Sequence, residues 1–175
     1  MAKAVHNAGR LTRVLRHFMT GQGSARAAFP KATLHAIQAS IGTGETRHRA
    51  QVRVIIESAL SVGAAWRGET SRQRAHVLFG QYRIWDTEEN CGVLVYLNLA
   101  DHKIEIVADR GVSRLVSRQQ WQQVCALMTG GYARGDYHDT TLQALDALHA
   151  LLAQVMPRDA QDHGGKELSD KPIVL

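Results

Sequence analysis

The stretch WDTEENCGVLVYLNLADHKIEIVADRG, residues 85–111, decides the fold. Val93, Leu94, Val95, Tyr96 and Leu97 are apolar on both faces of an extended chain. This is the pattern of a central strand covered on both sides, over residues 92–99. Ala100 and Asp101 read as a tight turn, and residues 103–108 alternate as the returning strand. The two strands are therefore antiparallel. With Ala100-Asp101 at the turn, Gly92 falls opposite Asp109; a register two residues longer would pair Gly92 with Gly111.

Working outward, residues 51–60 set Val52, Val54 and Ile56 against Gln51, Arg53, Ile55 and Glu57, which predicts a first strand. A helix over residues 63–83, with Ala75, Leu78, Phe79 and Tyr82 inward, joins it to the central strand. That connection makes the first two strands parallel, with a right-handed crossover. Further helices are predicted over residues 1–23, 29–48 (Leu34, Ile37 and Ile41 inward), 117–128 and 140–156. Pro30 suits a first helical turn, and Ser117 and Asp139 are read as N-caps. His138-Asp139 resembles part of a catalytic pair and is assigned to capping. Residues 159–165 read as a polar linker, and 172–175 as a possible short edge strand. The order is α-α-β-α-β-β-α-α. The class is α/β: a three-layer α/β/α sandwich whose small mixed sheet, a parallel pair plus the antiparallel hairpin, is flanked by helices. The expected organisation is a basic leader over 1–28, a domain over 29–157 and a tail over 158–175.

Composition supports a single globular unit of 175 residues, 45% hydrophobic and 21% charged. No run approaches the ~20 apolar residues of a membrane span. Cys91 and Cys125 are isolated and predict free thiols in a reducing compartment. The net charge of +5 is uneven. Lys3, Arg10, Arg13, Arg16, Arg26 and Lys31 precede the first acid, Glu45, and the rest of the chain is close to neutral. Leu11, Val14, Leu15 and Phe18 recur at helical spacing beside Arg10, Arg13 and His17, so the leader reads as a basic amphipathic helix. Its arginines interrupt any secretory apolar core, although it has the acid-poor look of a transit peptide. Such a helix suits docking on the domain or contact with an anionic membrane surface. Aromatics are sparse and no nucleic-acid module is present, so no nucleic-acid partner is expected. Nucleophile-elbow, phosphate-loop and dinucleotide-binding motifs are absent.

The topology brings three distant segments to the open end of the hairpin: 45–48, 86–92 and 109–111. Asp86, Glu88, Asn90, Asp109 and Glu45 supply oxygens suited to a hard cation, Ca²⁺ or Mg²⁺. Such a cation could hold an anionic oxygen or activate water. Arg110 could pair with a phosphate or neutralise Asp109. Gly92 and Gly111 would let backbone approach a ligand, and His48 could serve as acid or base. The plain alternative is an ion-pair network. Trp85 and Trp121 read as packing residues.

The residues 85–97 followed by 104–112 resemble the core of the TPM domain family. Phe29-Pro30 opening a helix, the segment 48–54, the Gly135-Asp136-Tyr137 step and the ending 167–175 resemble it too. The resemblance implies an α/β/α sandwich. Some plant members are described as acid phosphatases and several members bind Ca²⁺ or another divalent cation in a loop-end crevice, which here points to Asp86, Glu88, Asn90 and Asp109. Chaperone-like or assembly roles on membrane proteins are proposed for others. Typical members open the domain with an Asp-containing segment after a signal peptide and carry a membrane anchor or Gly-rich tail. Here the front segment, residues 27–34, has no carboxylate, which weakens the transfer of phosphatase activity. The leading expectation is a non-enzymatic cytoplasmic binding module, peripheral to the membrane. It would engage a membrane-associated protein partner and hold a weak divalent cation. The alternative is a metal-assisted acid phosphatase with Asp109 and Arg110 as catalytic residues. A structural or oligomerising domain is the third expectation.

Overall fold

Helices outnumber strands along the computed structural model, which describes residues 2–159 and 165–175. In chain order they are α1 (Ala2–Met19), α2 (Gln22–Ala28), α3 (Lys31–Gly44), β1 (Gln51–Glu57), α4 (Val62–Arg67) and α5 (Ser71–Gln81). There follow β2 (Gly92–Asn98), β3 (Lys103–Ala108), the short α6 (Arg110–Ser113), α7 (Arg118–Tyr132), α8 (His138–Val155) and β4 (Ile173–Val174).

The sheet has the order β3-β2-β1-β4. β1 and β2 are parallel, with Gln51 beside Gly92, and β2 and β3 are antiparallel. Asp109 N–H donates to Gly92 O at 2.9 Å, so the shorter of the two expected registers is the one formed. β2 is buried along its whole length. One sheet face carries Val52, Val54, Ile56, Val93, Val95 and Leu97, packed under α2, α3, α7 and α8. The other carries Ile55, Leu94, Tyr96 and Val107, packed under α5 and the C-terminal segment. The three-layer sandwich follows from this double burial. Fully burying one such side chain contributes roughly 1.5–3 kcal/mol.

Local chemistry sets several boundaries. The helix expected over 63–83 is two helices. Gly68 adopts φ 79°, a left-handed geometry that terminates α4, and Thr70 with Gln73 forms a capping box that starts α5. Ser117 and Gln120 form a second box on α7, so Ser117 caps as expected. Asp139 does not cap α8. Tyr137 holds the cap position without a side-chain bond, and Asp139 lies in the first turn, where its charge favours the helix dipole. Pro30 is the residue before α3 rather than within its first turn. The C-terminal residues do add an edge strand: β4 runs parallel to β1, with Ile55 beside Ile173. The polar linker over 159–165 falls mostly outside the described residues. Both cysteines are free.

Candidate functional site

At the open end of the hairpin the loops meet closely. A Cβ on Gly92 would overlap the Ile84 carbonyl oxygen, and one on Gly111 would crowd the Glu89 and Asn90 carbonyls. These glycines let the protein's own backbone segments approach each other, so backbone fills the space next to them. Asn90 takes a left-handed φ of 52°. Its Oδ1 accepts from Arg110 Nε at 3.1 Å and from a second Arg110 nitrogen at 3.0 Å. Asp109 Oδ1 accepts the Arg110 backbone N–H at 2.6 Å and caps α6. Asp109 Oδ2 is buried without a hydrogen-bond partner.

The remaining acids of this end are dispersed. Asp86 pairs with Arg83 at 3.1 Å, and Glu89 pairs with Arg49 at 2.6 Å. Glu88 offers its backbone N–H to Glu167. Among the described residues, no three His, Cys, Asp or Glu side chains are grouped so as to hold a metal ion. Asp86, Glu88, Asn90 and Asp109 share a neighbourhood but do not pool their oxygens.

Glu45 and His48 lie at the same end of the sheet and are drawn inward. Glu45 Oε1 accepts from Val52 N–H at 2.7 Å, and Lys166 stands 3.7 Å from its other oxygen. Burial pushes the Glu45 carboxyl up to about 7. His48 is fully buried against α8, where its Nε2 lies 2.8 Å from His149 Nδ1 and the rings stack. The outer nitrogens, His48 Nδ1 and His149 Nε2, are buried and unpaired. Burial lowers His48 to about 4 and His149 to about 3. Gly44 leaves the space that the His149 ring occupies. The expected acid-base residue is thus half of a neutral core pair. His149 could have been found only by recognising that α8 packs on α3.

Convergence occurs at the opposite, turn end. Asp101 accepts from Arg13 at 2.6 and 3.0 Å, from Arg16 at 3.0 Å and from His17 Nε2 at 3.0 Å. His17 Nδ1 accepts the Leu60 N–H at 3.0 Å, so its Nε2 carries the proton given to Asp101. Burial alone would raise the Asp101 carboxyl; the bonds from Arg13 and His17 outweigh it and hold the group at about 2. The network continues inward. Asn98 Oδ1 takes the Asp101 N–H, Asn98 Nδ2 donates to the Tyr96 hydroxyl, and that hydroxyl donates to Glu57 at 2.5 Å. Arg74 closes it with bonds to both Glu57 oxygens. Asp101 was expected only as a turn residue, and its polar convergence depends on where α1 docks.

That docking inverts the usual amphipathic arrangement. Arg13 and His17 face the domain, while Leu11, Leu15, Phe18 and Met19 are 56–74% exposed. Val62 and Trp66 on neighbouring α4 are also exposed.

With this geometry in place, residues 25–151 match the family model of the TPM domain. The chain belongs to the TPM domain family. The TPM match leaves α1 outside it and includes both ends of the hairpin. The fold also resembles the NMR structure of the BA42 protein from the psychrophilic bacterium Bizionia argentinensis, with a TM-score of 0.70 and 21% identity. The likeness covers 82% of this chain and 92% of that one. No curated protein sequence matches the chain. No helix among the described residues is long and apolar enough to cross a membrane.

Proposed function

We propose that this TPM protein is a binding module that rests on an anionic membrane surface through α1 and there engages membrane-associated proteins. The observation that carries the reading is the outward face of α1. Its polar side chains hold the domain while Leu11, Leu15, Phe18 and Met19 stand in solvent. Contiguous exposed apolar surface of this kind marks an interaction site. The occupant fits a lipid surface because residues 1–44 carry no acid, and each cation near anionic headgroups contributes about 1 kcal/mol. Trp66, exposed on the neighbouring α4, has a ring suited to the headgroup boundary.

Flotation with vesicles tests the reading. The full chain is expected to rise with phosphatidylglycerol-rich vesicles and to stay behind with phosphatidylcholine alone. Leu15→Glu with Phe18→Glu should abolish flotation while leaving the fold intact, since both side chains are exposed. Failure of the unaltered chain to float with the anionic vesicles would remove the proposal.

One observation favours a weak divalent-cation site at the open end as a second element: the buried, unpartnered Asp109 Oδ2. Ca²⁺ titration should shift the amides of residues 86–92 and 109–111 saturably, and absence of such shifts eliminates the site. A phosphomonoesterase would draw on the same oxygen, with Arg110 on the phosphate. That role requires Arg110 to leave Asn90, and Asp109→Asn should then abolish hydrolysis of a generic phosphomonoester in added Ca²⁺, Mg²⁺ or Mn²⁺.

A further inference from the structure

β3 ends the sheet, and no strand among the described residues pairs with its outer side. The bond from Asp109 N–H to Gly92 O fixes which backbone groups face which way. Lys103, Glu105 and Val107 turn their N–H and C=O groups toward β2. Ile104, Ile106 and Ala108 turn theirs outward. Arg72 independently reports the same parity, because its guanidinium reaches Ile106 O from outside at 2.5 Å.

Beside this edge lies a groove of about 670 Å³ between β3 and α7. Ile104, Ile106, Val116 and Trp121 give it an apolar floor, and Arg72 and Arg118 stand on its rim. Lys103, Arg110 and Arg114 are exposed on the same strand and the helices that follow it. Glu105, the acid of the groove, is paired with Arg72 at 3.7 Å. The edge is therefore hydrogen-bond-ready, apolar beneath and positive around.

We propose that the outer edge of β3 is a strand-addition site for an extended partner segment of alternating apolar and acidic residues. Backbone bonds to Ile104, Ile106 and Ala108 would seat it. Its apolar side chains would lie over Trp121 and Ile106. Its carboxylates, on the opposite face of the added strand, would meet Arg72 and the exposed Lys103. Arg72 now covers one outward carbonyl, a common way of guarding an edge from unwanted pairing. The partner must supply an N–H to Ile106 O and a carboxylate to receive the displaced guanidinium, which selects acidic strands over neutral ones. The site does not depend on whether α1 meets lipid.

Amide hydrogen exchange on the full chain tests this, using a short acetylated and amidated peptide of alternating Glu and Val. The outward amides of Ile104, Ile106 and Ala108 should exchange roughly tenfold slower or more with peptide bound, while those of Glu105 and Val107 keep their rates. The same peptide N-methylated on its valines should give no protection. Lys103→Glu, at an exposed position, should weaken binding at least several-fold without altering exchange of the free protein. Three results would overturn the proposal: unchanged outward amides at saturating peptide, equal binding of the N-methylated peptide, or equal protection of inward and outward amides.

Discussion

The two ends of the β2–β3 hairpin handle charge in opposite ways. At the turn end, Arg13, Arg16 and His17 converge on one carboxylate, Asp101, whose side chain is 8% exposed. At the open end, Asp86, Glu89 and Asn90 each take a separate arginine, and the charged pairs are largely exposed. Convergence on a shielded acid joins segments more than eighty residues apart in sequence. Dispersed surface pairs add little to stability, typically about 0–1 kcal/mol. An acidic stretch thus becomes a junction only where the fold withholds water and brings cations from elsewhere.

The largest test of this contrast is Asp101→Asn. It should cost about 2–4 kcal/mol, the upper range for breaking a shielded pair being tempered by the half-exposed Arg16. Tryptic cleavage after Arg13 and Arg16 should accelerate as α1 releases, and unchanged cleavage would mean that α1 is held by other contacts.

Next comes the His48–His149 pair, a strongly shielded polar contact near the open end. Folded pKa values of about 4 and about 3, against 6.5 unfolded, mean that the unfolded chain takes up more protons on acidification. The pair's contribution is complete above about pH 6.5 and is lost as pH falls toward 4. Urea midpoints should drop across that range in the native protein. The drop should vanish, leaving the small opposite trend of Glu45, when His48 and His149 are both replaced by Leu; an equal drop in the variant would locate the acid sensitivity elsewhere.

Glu45 has the opposite sign. Its raised value of about 7, against 4.5, gives stability that is present below pH 4.5 and declines as pH rises through 7. Glu45→Gln should flatten that decline by about 1–2 kcal/mol, allowing for partial solvent screening beside Lys166. A decline preserved in the variant would assign it to another group.

The smallest expected effect is Asp109→Asn, under about 1 kcal/mol. Asn still caps α6, and the substitution gives the buried position a neutral side chain in place of an unpartnered oxygen. A loss larger than that of Asp101→Asn would reverse the ranking of the two ends.

Much of this fold was readable because its signals are local. The apolar run 93–97 required cover on both faces, and the turn at Ala100-Asp101 set the register that placed Gly92 opposite Asp109. Ser117 caps the helix it was read as capping, and Gln120 completes the box. The break between α4 and α5 was harder to see, because it rests on the left-handed backbone of Gly68 together with the Thr70–Gln73 capping box. Site residues were less legible because they depend on packing between distant segments. His48 was expected at a mouth, but α8 supplies His149 and seals it. The leader's apolar stripe was legible, whereas its outward direction follows from Asp101, which outcompetes apolar burial for that helix.

The attachment of α1 at Asp101 also determines how mechanical load would enter the molecule. Tension on α1 would reach the tip of the hairpin through Asp101, where β2 turns into β3, and in parallel the segment around α4 through Leu60 and Glu69. A pull on the tip along the strand axis shares the force across the ladders that β2 makes with β1 and β3. The same pull at the free ends of the two strands would open their bonds one after another. α1 is attached at a point from which such a load is taken by two ladders together rather than by one bond at a time.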